Sequence, residues 1–555
     1  MSVIERPRRP GPPTARFARG LAIVGVLAIL AGCDTGPTAA PSVGASAVAP
    51  TLPPGVTPAP TVLPTPTAAA DFPLAVVTGL TNHRANVTLD DLATLAADGK
   101  LEVPCGIAVM EPPITVLSQP PCVAADQVAA AIEKDQTLVA LLPPGLVEPS
   151  TKVLPIAGDS PYGLFGPDLF GDPESRAMPY PVKGRITGDS TIDPAWTAYD
   201  ATQVWTLNET GSLCADRSGA HQAVTLKKGW DWVFDGGTAK YKGPPIPNPK
   251  PPPGIDRHPI VRPIETGNAG LTSQLIRRAD VTLGNHKCPI LPTKDWRAND
   301  TGTALSFAVP EDVVSRWIDF LGIDALYLPA DHQSDRGVRG IRSTLNIIDK
   351  NKIPHTGLGM NLDEALAPAF VEVAGVKVAF VAWNDVPAPA HASATTPGVA
   401  WLTKANVDAA VKRARAEGAD LVICDPQWWG GGSEYKPYLR PVQVKQIGWM
   451  DAAGCDQIFA GGLHVAGGLF FREGKNGLSV VNAGPGNFQF GQEFWQNTQE
   501  GVVLQATFQG TKLVNIRLHP YVMILAARAA LLDPVGDGHY VLDRIFDNSE
   551  LDPTP

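Results

Sequence analysis

The sequence lacks the short motifs that mark several common enzyme classes. It has no P-loop, no nucleophile elbow around a serine, no Ser-His-Asp order and no Cys-x-x-Cys pair. Acidic residues outnumber lysine and arginine by 55 to 45, which gives a net charge of −10 and predicts no concentrated basic face. The sequence therefore does not support P-loop hydrolysis, serine or dithiol catalysis, or nucleic-acid binding.

Long hydrophobic runs are also scarce, and the run near the N-terminus predicts export. Five arginines precede an apolar run at 21–30, which is shorter than the roughly 20 residues a spanning helix needs. Residues 1–33 therefore resemble a secretory signal peptide. Cys33 follows Leu-Ala-Gly as in a bacterial lipobox, so we expect Cys33 to be lipidated and to anchor an extracytoplasmic protein to the membrane. The alternative is an ordinary signal peptide with an incidental cysteine.

Composition and periodicity divide the remaining chain into three parts. Residues 34–70 are rich in Pro, Ala and Thr and have no apolar period, which predicts an extended, disordered tether. Residues 71–190 predict a small α/β domain with a connecting segment. Its pattern vaguely resembles one lobe of a solute-binding protein, although any small α/β unit alternates in this way. Within 191–550, strands and helices alternate and hairpins follow, which predicts two mixed sheets covered by helices.

Six cysteines besides Cys33 remain for an exported protein, and an even number permits disulfides. Spacing alone leaves 15 connectivities open. We expect Cys105 to pair with Cys122, because the prolines between them favour turns. Cys214 and Cys288 follow strands whose loops are expected to meet, so they form the second expected pair.

Five polar stretches follow apolar strands and predict one common site. Loops at the carboxyl ends of strands in an open α/β sheet converge on one crevice, where ligands bind. The stretches lie at 211–217, 284–287, 331–337, 427–430 and 461–464.

These stretches resemble the CapA family of poly-γ-glutamate capsule synthesis, a branch of the calcineurin-like metallophosphatases. The residues that match the family pattern include, in order, Gly211, Asp216, Arg217, Asn285, His332, Asp335, Gly337, Glu434, Tyr435, His464, Gly486, Asn487 and Phe488. Four positions depart from the pattern: Ser212 replaces an aspartate, Lys287 a glutamate, Gln427 a histidine and Gly462 another histidine. The resemblance implies a four-layer α/β/β/α sandwich.

The resemblance also implies a metal site with altered ligands. The candidate metal ligands are Asn285, His286, Asp331, His332 and His464, and the candidate catalytic residues are His332, Asp331, His464 and Asn285. A two-metal phosphoesterase needs a bridging carboxylate, which Ser212 does not supply, and Lys287 adds a positive charge. We therefore expect either one divalent metal (Mn, Zn or Fe) or none. A lone histidine can equally be a hydrogen-bonded structural residue.

Five residues near these positions are candidates for binding a ligand. Lys287 carries a charge that can hold a carboxylate or phosphate in place of a metal. Trp428 offers a flat face for a sugar or polymer, or else packs in the core. Asp216, Arg217 and Glu434 either orient ligands or form structural ion pairs.

Three functions follow as hypotheses. The first is a surface-anchored protein that helps make or handle an anionic envelope polymer, with weak or no hydrolase activity. The second is a metal-dependent phosphoesterase with a rearranged ligand set, and the third is a solute-binding lipoprotein. The expected partners are thus an anionic polymer or a phosphoester, and a membrane through the lipid anchor, but no nucleic acid.

Overall fold

The elements of the N-terminal part are short and follow local sequence signals. The computed structural model describes residues 71–111, 122–157, 166–171, 173–187, 192–242, 262–267, 270–298, 306–387, 390–492 and 495–554, so Cys33 and the expected tether lie outside the described residues. Helix α1 begins after Thr88, whose hydroxyl accepts from the Asp91 amide while the Asp91 carboxylate accepts from the Thr88 amide. The two bonds form a reciprocal capping box, which satisfies backbone donors at the start of the helix.

The N-terminal unit has a five-stranded sheet of order β5-β3-β6-β2-β7 and a three-stranded sheet of order β1-β8-β4. Its strands are β1 Phe72–Pro73, β2 Ala75–Gly79, β3 Leu101–Pro104, β4 Ile107–Glu111, β5 Cys122–Val123, β6 Val139–Leu142, β7 Thr151–Val153 and β8 Lys183–Ile186. Its helices are α1 Leu89–Ala97, α2 Val128–Lys134 and α3 Pro173–Ala177.

The larger part of the chain builds two large sheets and two small ones, β13-β14 and β17-β20. Its strands are β9 Val204–Cys214, β10 Thr238–Lys242, β11 Arg262–Glu265, β12 Val281–His286, β13 Ile290–Leu291, β14 Val309–Pro310, β15 Ala325–Tyr327, β16 His355–Thr356, β17 Leu358–Gly359, β18 Ala369–Val373, β19 Val376–Asn384, β20 Gly398–Val399, β21 Leu421–Gln427, β22 Gln457–Phe459, β23 Leu469–Gly474, β24 Gly477–Asn482, β25 Asn487–Phe490, β26 Glu500–Gln509, β27 Lys512–Ile524, β28 Arg528–Leu532 and β29 Glu550–Thr554. Its helices are α4 Pro194–Thr197, α5 Ser218–Ala220, α6 Trp230–Phe234, α7 Leu271–Arg277, α8 Asp312–Arg316, α9 Gly337–Lys350, α10 Leu362–Ala365, α11 Lys404–Ala416, α12 Pro441–Ala453 and α13 His539–Phe546.

The first sheet has the order β11-β10-β28-β27-β26-β9-β12-β15-β16, with β25 also paired to β9. The second sheet has the order β18-β19-β21-β22-β24-β23-β29. Both sheets are mixed: β9, β12 and β15 run parallel, as do β19, β21 and β22, whereas β26 and β27 form an antiparallel hairpin.

Four layers result from the way these sheets bury their apolar faces. One buried cluster joins their inner faces and includes Leu207 and Leu283 from the first sheet with Phe380 and Ile423 from the second. A second cluster packs the outer face of the first sheet against α6, α7, α8 and α9, and a third packs the second sheet against α11 and α12. The predicted α/β/β/α sandwich is therefore confirmed.

The N-terminal unit packs on the first sheet beside β27. The Val153 amide donates to Asn515 Oδ1 at 3.1 Å, and Arg517 Nε donates to the Val153 carbonyl at 3.0 Å. The described residues fall into one compact unit. Within this part of the chain, no helix is both long and apolar enough to cross a membrane.

Three disulfides join the six cysteines that follow Cys33. Both expected pairs are present, Cys105–Cys122 and Cys214–Cys288, with Cα separations of 4.7 and 5.9 Å. The third pair, Cys424–Cys455, links the middle of β21 to the residues after α12 and has a Cα separation of 6.0 Å. The second of these bridges fastens the loop after β9 to the loop after β12, which are two of the five polar stretches.

Candidate functional site

The inner faces of both sheets change from apolar to polar toward the carboxyl ends of their strands. Side chains two residues apart on a strand share a face. Along each inner face a buried apolar residue is followed, two positions later, by a buried polar one: Leu207 by Glu209, Leu283 by Asn285, Ile423 by Asp425 and Val480 by Asn482. One edge of the sandwich interior is thus lined with polar groups, and this edge is the candidate site.

A buried lysine occupies the centre of this site. Lys287, directly after β12, has a side chain that is 1% exposed. Its Nζ lies 3.6 Å from Asp331 Oδ1 and 3.3 Å from His464 Nε2, and 5.3 Å from the centre of the Phe490 ring. Burial lowers the pKa of Lys287, while Asp331 and Glu434 act to raise it. The ammonium therefore joins a carboxylate and an imidazole that come from two distant loops.

Asp331 lies between this lysine and a histidine. Its Oδ2 is 3.3 Å from His332 Nε2, and His332 Nδ1 is 2.9 Å from Asp335 Oδ2. Burial alone would raise the pKa of Asp331, but Lys287, with smaller contributions from His332 and His464, outweighs burial and lowers it. The groups around Asp331 therefore favour its ionised form. Of the residues in this chain of contacts, His332 reaches the surface most, with 20% of its side chain exposed.

His464 is neutral, and its hydrogen bonds fix its tautomer. Its Nδ1 lies 2.8 Å from Asn487 Oδ1, and the Asn487 amide nitrogen donates to Gln492 Oε1 and to the Thr498 carbonyl, each at 3.0 Å. The Asn487 oxygen therefore accepts, and His464 Nδ1 carries the hydrogen. Burial, together with Lys287, lowers the pKa of His464 to about 3. Its Nε2 lone pair is left to accept from the Lys287 ammonium.

Two amide side chains connect the sheets next to this cluster. Asn285 Nδ2 donates to Gln427 Oε1 at 3.1 Å, which bridges β12 and β21. Asn285 Oδ1 and Gln427 Nε2 have no hydrogen-bond partner among the described residues. A Cβ at Gly461 would lie 2.1 Å from Asn285 Nδ2, so a larger residue there would displace the Asn285 amide. Gln427 stands where the family pattern has a histidine ligand, and here its side chain makes a direct contact between the two sheets.

Two buried acids lie in the same polar edge, and sequence reasoning missed both. Asn482 Nδ2 is 3.4 Å from Glu209 Oε2, across the two sheets. Neither oxygen of Asp425 has a hydrogen-bond partner of normal geometry in the part of the chain that the structure describes, and the same is true of the Tyr327 hydroxyl. Burial raises the pKa of Glu209 and of Asp425 well above normal, and the charge of Asp425 adds to the rise at Glu209. The available signal was an acid at an inward position of an apolar strand, as in Leu-Val-Ile-Cys-Asp at 421–425.

The structure separates two predicted site residues from the others. His286 lies on the opposite face of β12 from Asn285 and Lys287, because neighbouring side chains on a strand alternate. Its Nδ1 lies 2.9 Å from the Leu213 carbonyl and its ring packs 4.6 Å from Trp317, so the grouping of His286 with the metal ligands was wrong. Trp428 is 0% exposed and belongs to the outer core of the second sheet, so it cannot present a face to a polymer.

The remaining predicted residues surround the cluster. Asp216 Oδ2 accepts from the Ala308 amide at 3.0 Å, and the Arg217 guanidinium lies 4.3 Å above the Phe307 ring. Phe307 in turn packs 4.4 Å from His332. Asp216 and Arg217 therefore hold the segment that covers His332. Burial raises the pKa of Glu434, which Tyr435 and Lys287 act to lower, and this places Glu434 beside the same cluster.

The residues at the centre of the site do not fit a metal centre. Within the described ranges, no group of three or more His, Cys, Asp or Glu side chains is arranged to hold a metal ion. Two of the candidate ligands, Asp331 and His464, both contact the Lys287 ammonium. A cation bound by them would lie next to a fixed positive charge, which disfavours binding.

Comparison with known proteins gives a family match over part of the chain. Residues 265–492 match the family model described as bacterial capsule synthesis protein PGA_cap. Over part of its length the chain is similar to the CapA family. It is 26% identical over 255 residues to the capsule biosynthesis protein CapA of Bacillus anthracis, and 26% identical over 233 residues to the PGA biosynthesis protein CapA of Bacillus subtilis.

These matches cover 44% and 42% of the CapA-like chain and 59% and 58% of the two relatives. Among solved structures, the NAD nucleotidase of Haemophilus influenzae is similar with a TM-score of 0.33 and 12% identity, over 62% of this chain and 63% of that one. The 5'-nucleotidase precursor of Thermus thermophilus is similar with a TM-score of 0.32 and 13% identity, over 61% and 57%.

Proposed function

We propose that this CapA-like chain helps to make or handle an anionic polymer of the cell envelope, of the capsule type, and that its strand-end site does not hydrolyse phosphoesters. The capsule and PGA biosynthesis roles for which the two Bacillus relatives are named support the polymer part of the proposal. The observation that carries the second part is the Lys287 ammonium, which lies 3.6 Å from Asp331 and 3.3 Å from His464.

The ammonium supplies the positive charge that this site needs for its own stability. A buried carboxylate without a partner is destabilising by several kcal/mol. Asp331 is 5% exposed, and the lysine neutralises it without any added ion. Two-metal hydrolysis also requires a bridging carboxylate and an activated water, and Ser212 lies buried at the position where the family pattern has the aspartate. The site is therefore complete as a structural centre and deficient as a metal centre.

Polymer contact would fall on the surface around this centre. Lys287 is only 1% exposed, so it is not available to bind a carboxylate from solution, contrary to what the sequence led us to expect. Arg217 is a half-buried cation in this region, and its Nη1 donates to the Gly491 carbonyl at 3.1 Å. Phe307 contacts both Arg217 and His332, and Tyr435 stacks on His464. An extended polyanion would contact such a surface through several weak, salt-dependent interactions.

The export signal and the lipobox-like sequence at Cys33 complete the proposal. A protein anchored by a lipid outside the membrane, behind a Pro-rich tether at 34–70, would reach a polymer as it emerges at the cell surface. Membrane anchoring and polymer handling are separate claims and have separate tests.

The test of hydrolysis is a metal analysis combined with an activity assay. The purified protein, dialysed against Mn²⁺ or Zn²⁺, should retain less than one tightly held ion per chain. It should turn over phosphomonoesters and phosphodiesters far below an ordinary enzymatic rate of about 1 per second. Two retained ions per chain, with turnover that His332→Ala abolishes, would establish the metal-dependent phosphoesterase instead.

The test of polymer handling is binding of poly-γ-glutamate with uncharged dextran of similar length as the control. Binding to the polyanion should be saturable and should weaken as salt is raised, and Arg217→Gln should weaken it while the exposed-surface variant Lys412→Gln does not. Absence of binding in a protein that also lacks metal would remove the polymer claim and leave the non-hydrolytic claim intact.

A further inference from the structure

A cavity lies where the N-terminal unit packs on the first sheet, and its lining residues are not those of the polar edge described above. Its volume is about 90 Å³. The residues at and after the end of β7, the β27 residues around Arg517 and His519, and leucines of β28 and α13 line it. We call it the junction cavity. It exists only because the two parts of the chain meet, since each supplies part of its wall.

The charged residues that line the junction cavity are all basic. Arg84, Lys152 and Arg517 line it together with His519, and no acidic residue is among the lining residues. This contrasts with the net charge of −10 of the whole chain. The other lining residues are mostly leucines and prolines, among them Leu531, Leu532 and Leu542. The cavity thus combines an apolar wall with a concentration of positive charge.

Two of the three cations lack full compensation. Arg517 pairs with the buried Asp168 and donates to the Val153 carbonyl. Lys152 donates one hydrogen bond, to the Asn82 carbonyl, and an ammonium has three hydrogens to donate. The Arg84 guanidinium has no partner in the described part of the chain. An anion in the cavity would therefore find free donors on both Lys152 and Arg84.

The basic side chains around the cavity disfavour one another's charged forms. Burial and the nearby Arg517 lower the pKa of Lys152 to about 7, and Glu133 opposes them only in part. Burial, Arg517 and Lys152 lower the pKa of His519 to about 3, so its ring is neutral. His519 Nε2 lies 3.3 Å from Gln505 Oε1. A bound anion would relieve the repulsion between the basic side chains that remain charged.

The size of the cavity limits what can bind. By the same measure, one water needs on the order of 10–15 Å³, so about 90 Å³ corresponds to a molecule of only several heavy atoms. A sulfate or phosphate ion would leave the leucine wall uncovered, whereas a hydrocarbon would leave the cations unpaired. A short chain that ends in one carboxylate satisfies both surfaces.

We propose that the junction cavity binds a small monocarboxylate with a short apolar chain. The carboxylate would accept from Lys152 and Arg84, and the chain would lie against Leu531, Leu532 and Leu542. The site would give the N-terminal unit a role as one half of a small-ligand site. It does not depend on the polymer function proposed above, so each can fail without the other.

Isothermal titration calorimetry of the purified full-length protein tests this proposal. Hexanoate, butyrate and acetate are the probes, with hexanol and inorganic phosphate as controls for chain and charge alone. We expect one saturable site for hexanoate, with affinity rising about fourfold per methylene until the cavity is filled, since burying one methylene contributes about 0.8 kcal/mol. Hexanol and phosphate should bind at least tenfold more weakly than hexanoate.

Three variants decide whether the binding occurs in this cavity. Lys152→Met keeps the apolar stem and should weaken hexanoate binding at least tenfold, as should Arg84→Gln. Lys412→Met, on the exposed face of α11, is the matched control and should bind as the parent does. Circular dichroism establishes that each variant is folded, and Arg84→Gln alone suffices should Lys152→Met fail to fold.

Three results would overturn the proposal. They are the absence of saturable binding, equal affinity in Arg84→Gln and Lys412→Met, and equal affinity for phosphate and hexanoate. The last result would show that charge alone holds the anion and that the leucine wall plays no part.

Discussion

Replacing Lys287 by methionine tests the central contact of the site. The substitution keeps an apolar stem of similar length and removes the ammonium that lies 3.6 Å from Asp331 Oδ1. Breaking a buried ion pair from one side costs about 3–5 kcal/mol, because the remaining charge stays buried and unpaired. His464 Nε2 also loses a donor, which adds about 1 kcal/mol. The substitution also removes the cost of burying the lysine's charge, which offsets part of these two losses. We therefore expect a net destabilisation of about 3 kcal/mol.

The pH dependence of this loss separates the pair from general packing. In the parent protein, burial would raise the pKa of Asp331, but Lys287 and the two histidines lower it. A carboxyl group whose pKa is lowered by folding contributes stability above its unfolded value of about 3.9, and this stability is lost as the pH falls through the folded pKa. In Lys287→Met the lysine no longer counteracts the effect of burial, so the pKa of Asp331 rises. Ionised Asp331 then destabilises the folded state as the pH rises above about 4.

Urea unfolding of the two proteins at several pH values is the assay. The difference in unfolding free energy should be largest near pH 7 and should shrink toward about pH 4. The double variant Lys287→Met with Asp331→Leu should recover most of the loss, because replacing both members of a buried pair by apolar groups is close to neutral. A difference that does not change with pH, or a double variant no more stable than the single one, would refute the ion pair as the source of stability.

Three further predictions concern other groups. Asp425→Asn should raise the melting temperature at about pH 8 but not at about pH 4, which differential scanning calorimetry at the two pH values checks. Burial raises the pKa of Asp425. The acid therefore contributes stability below its unfolded pKa of about 3.9, and this stability is lost as the pH rises toward the raised pKa. Arg544→Met should lower the free energy of unfolding by about 3–5 kcal/mol, because Arg544 Nη1 lies 3.0 Å from Glu500 Oε2 and both side chains are 0% exposed. The control is Arg413→Met, which breaks a surface ion pair and should lower it by under about 1 kcal/mol in the same urea assay. Cys33→Ser should leave the protein without lipid, and membrane association of this variant after a high-salt wash would contradict the anchor.

Local signals predicted much of the fold, because each depends on residues close together along the chain. The start of α1 is an example of such a local signal, because the Thr88 capping box involves residues only three positions apart. The alternation of apolar segments predicted two mixed sheets under helices, and the sandwich has them. The Cys105–Cys122 pair encloses a proline-rich loop and was equally accessible to sequence reasoning.

The site was predicted less well, because its contacts join distant elements. Lys287 and His464 are 177 residues apart, and their contact depends on how two sheets face each other. The sequence indicated that both lie at strand ends but not that the ammonium would occupy the space between two candidate ligands. His286 could have been excluded, since the alternation that turns Asn285 and Lys287 inward turns His286 outward. Asp425 and Glu209 each carried one signal, an acid within an apolar strand, but their contacts with the other sheet depend on how the two sheets face each other.

The disulfides have a consequence for the order in which the protein matures. Each bridge joins a cysteine to the next one along the chain after Cys33: Cys105 to Cys122, Cys214 to Cys288 and Cys424 to Cys455. In a chain that emerges N-terminus first, every cysteine therefore meets its native partner before a later one appears, and no shuffling of wrong pairs is needed. Cys33 would be the exception, since its free thiol precedes all six. Acylation of that thiol would thus protect the pairing sequence as well as attach the chain.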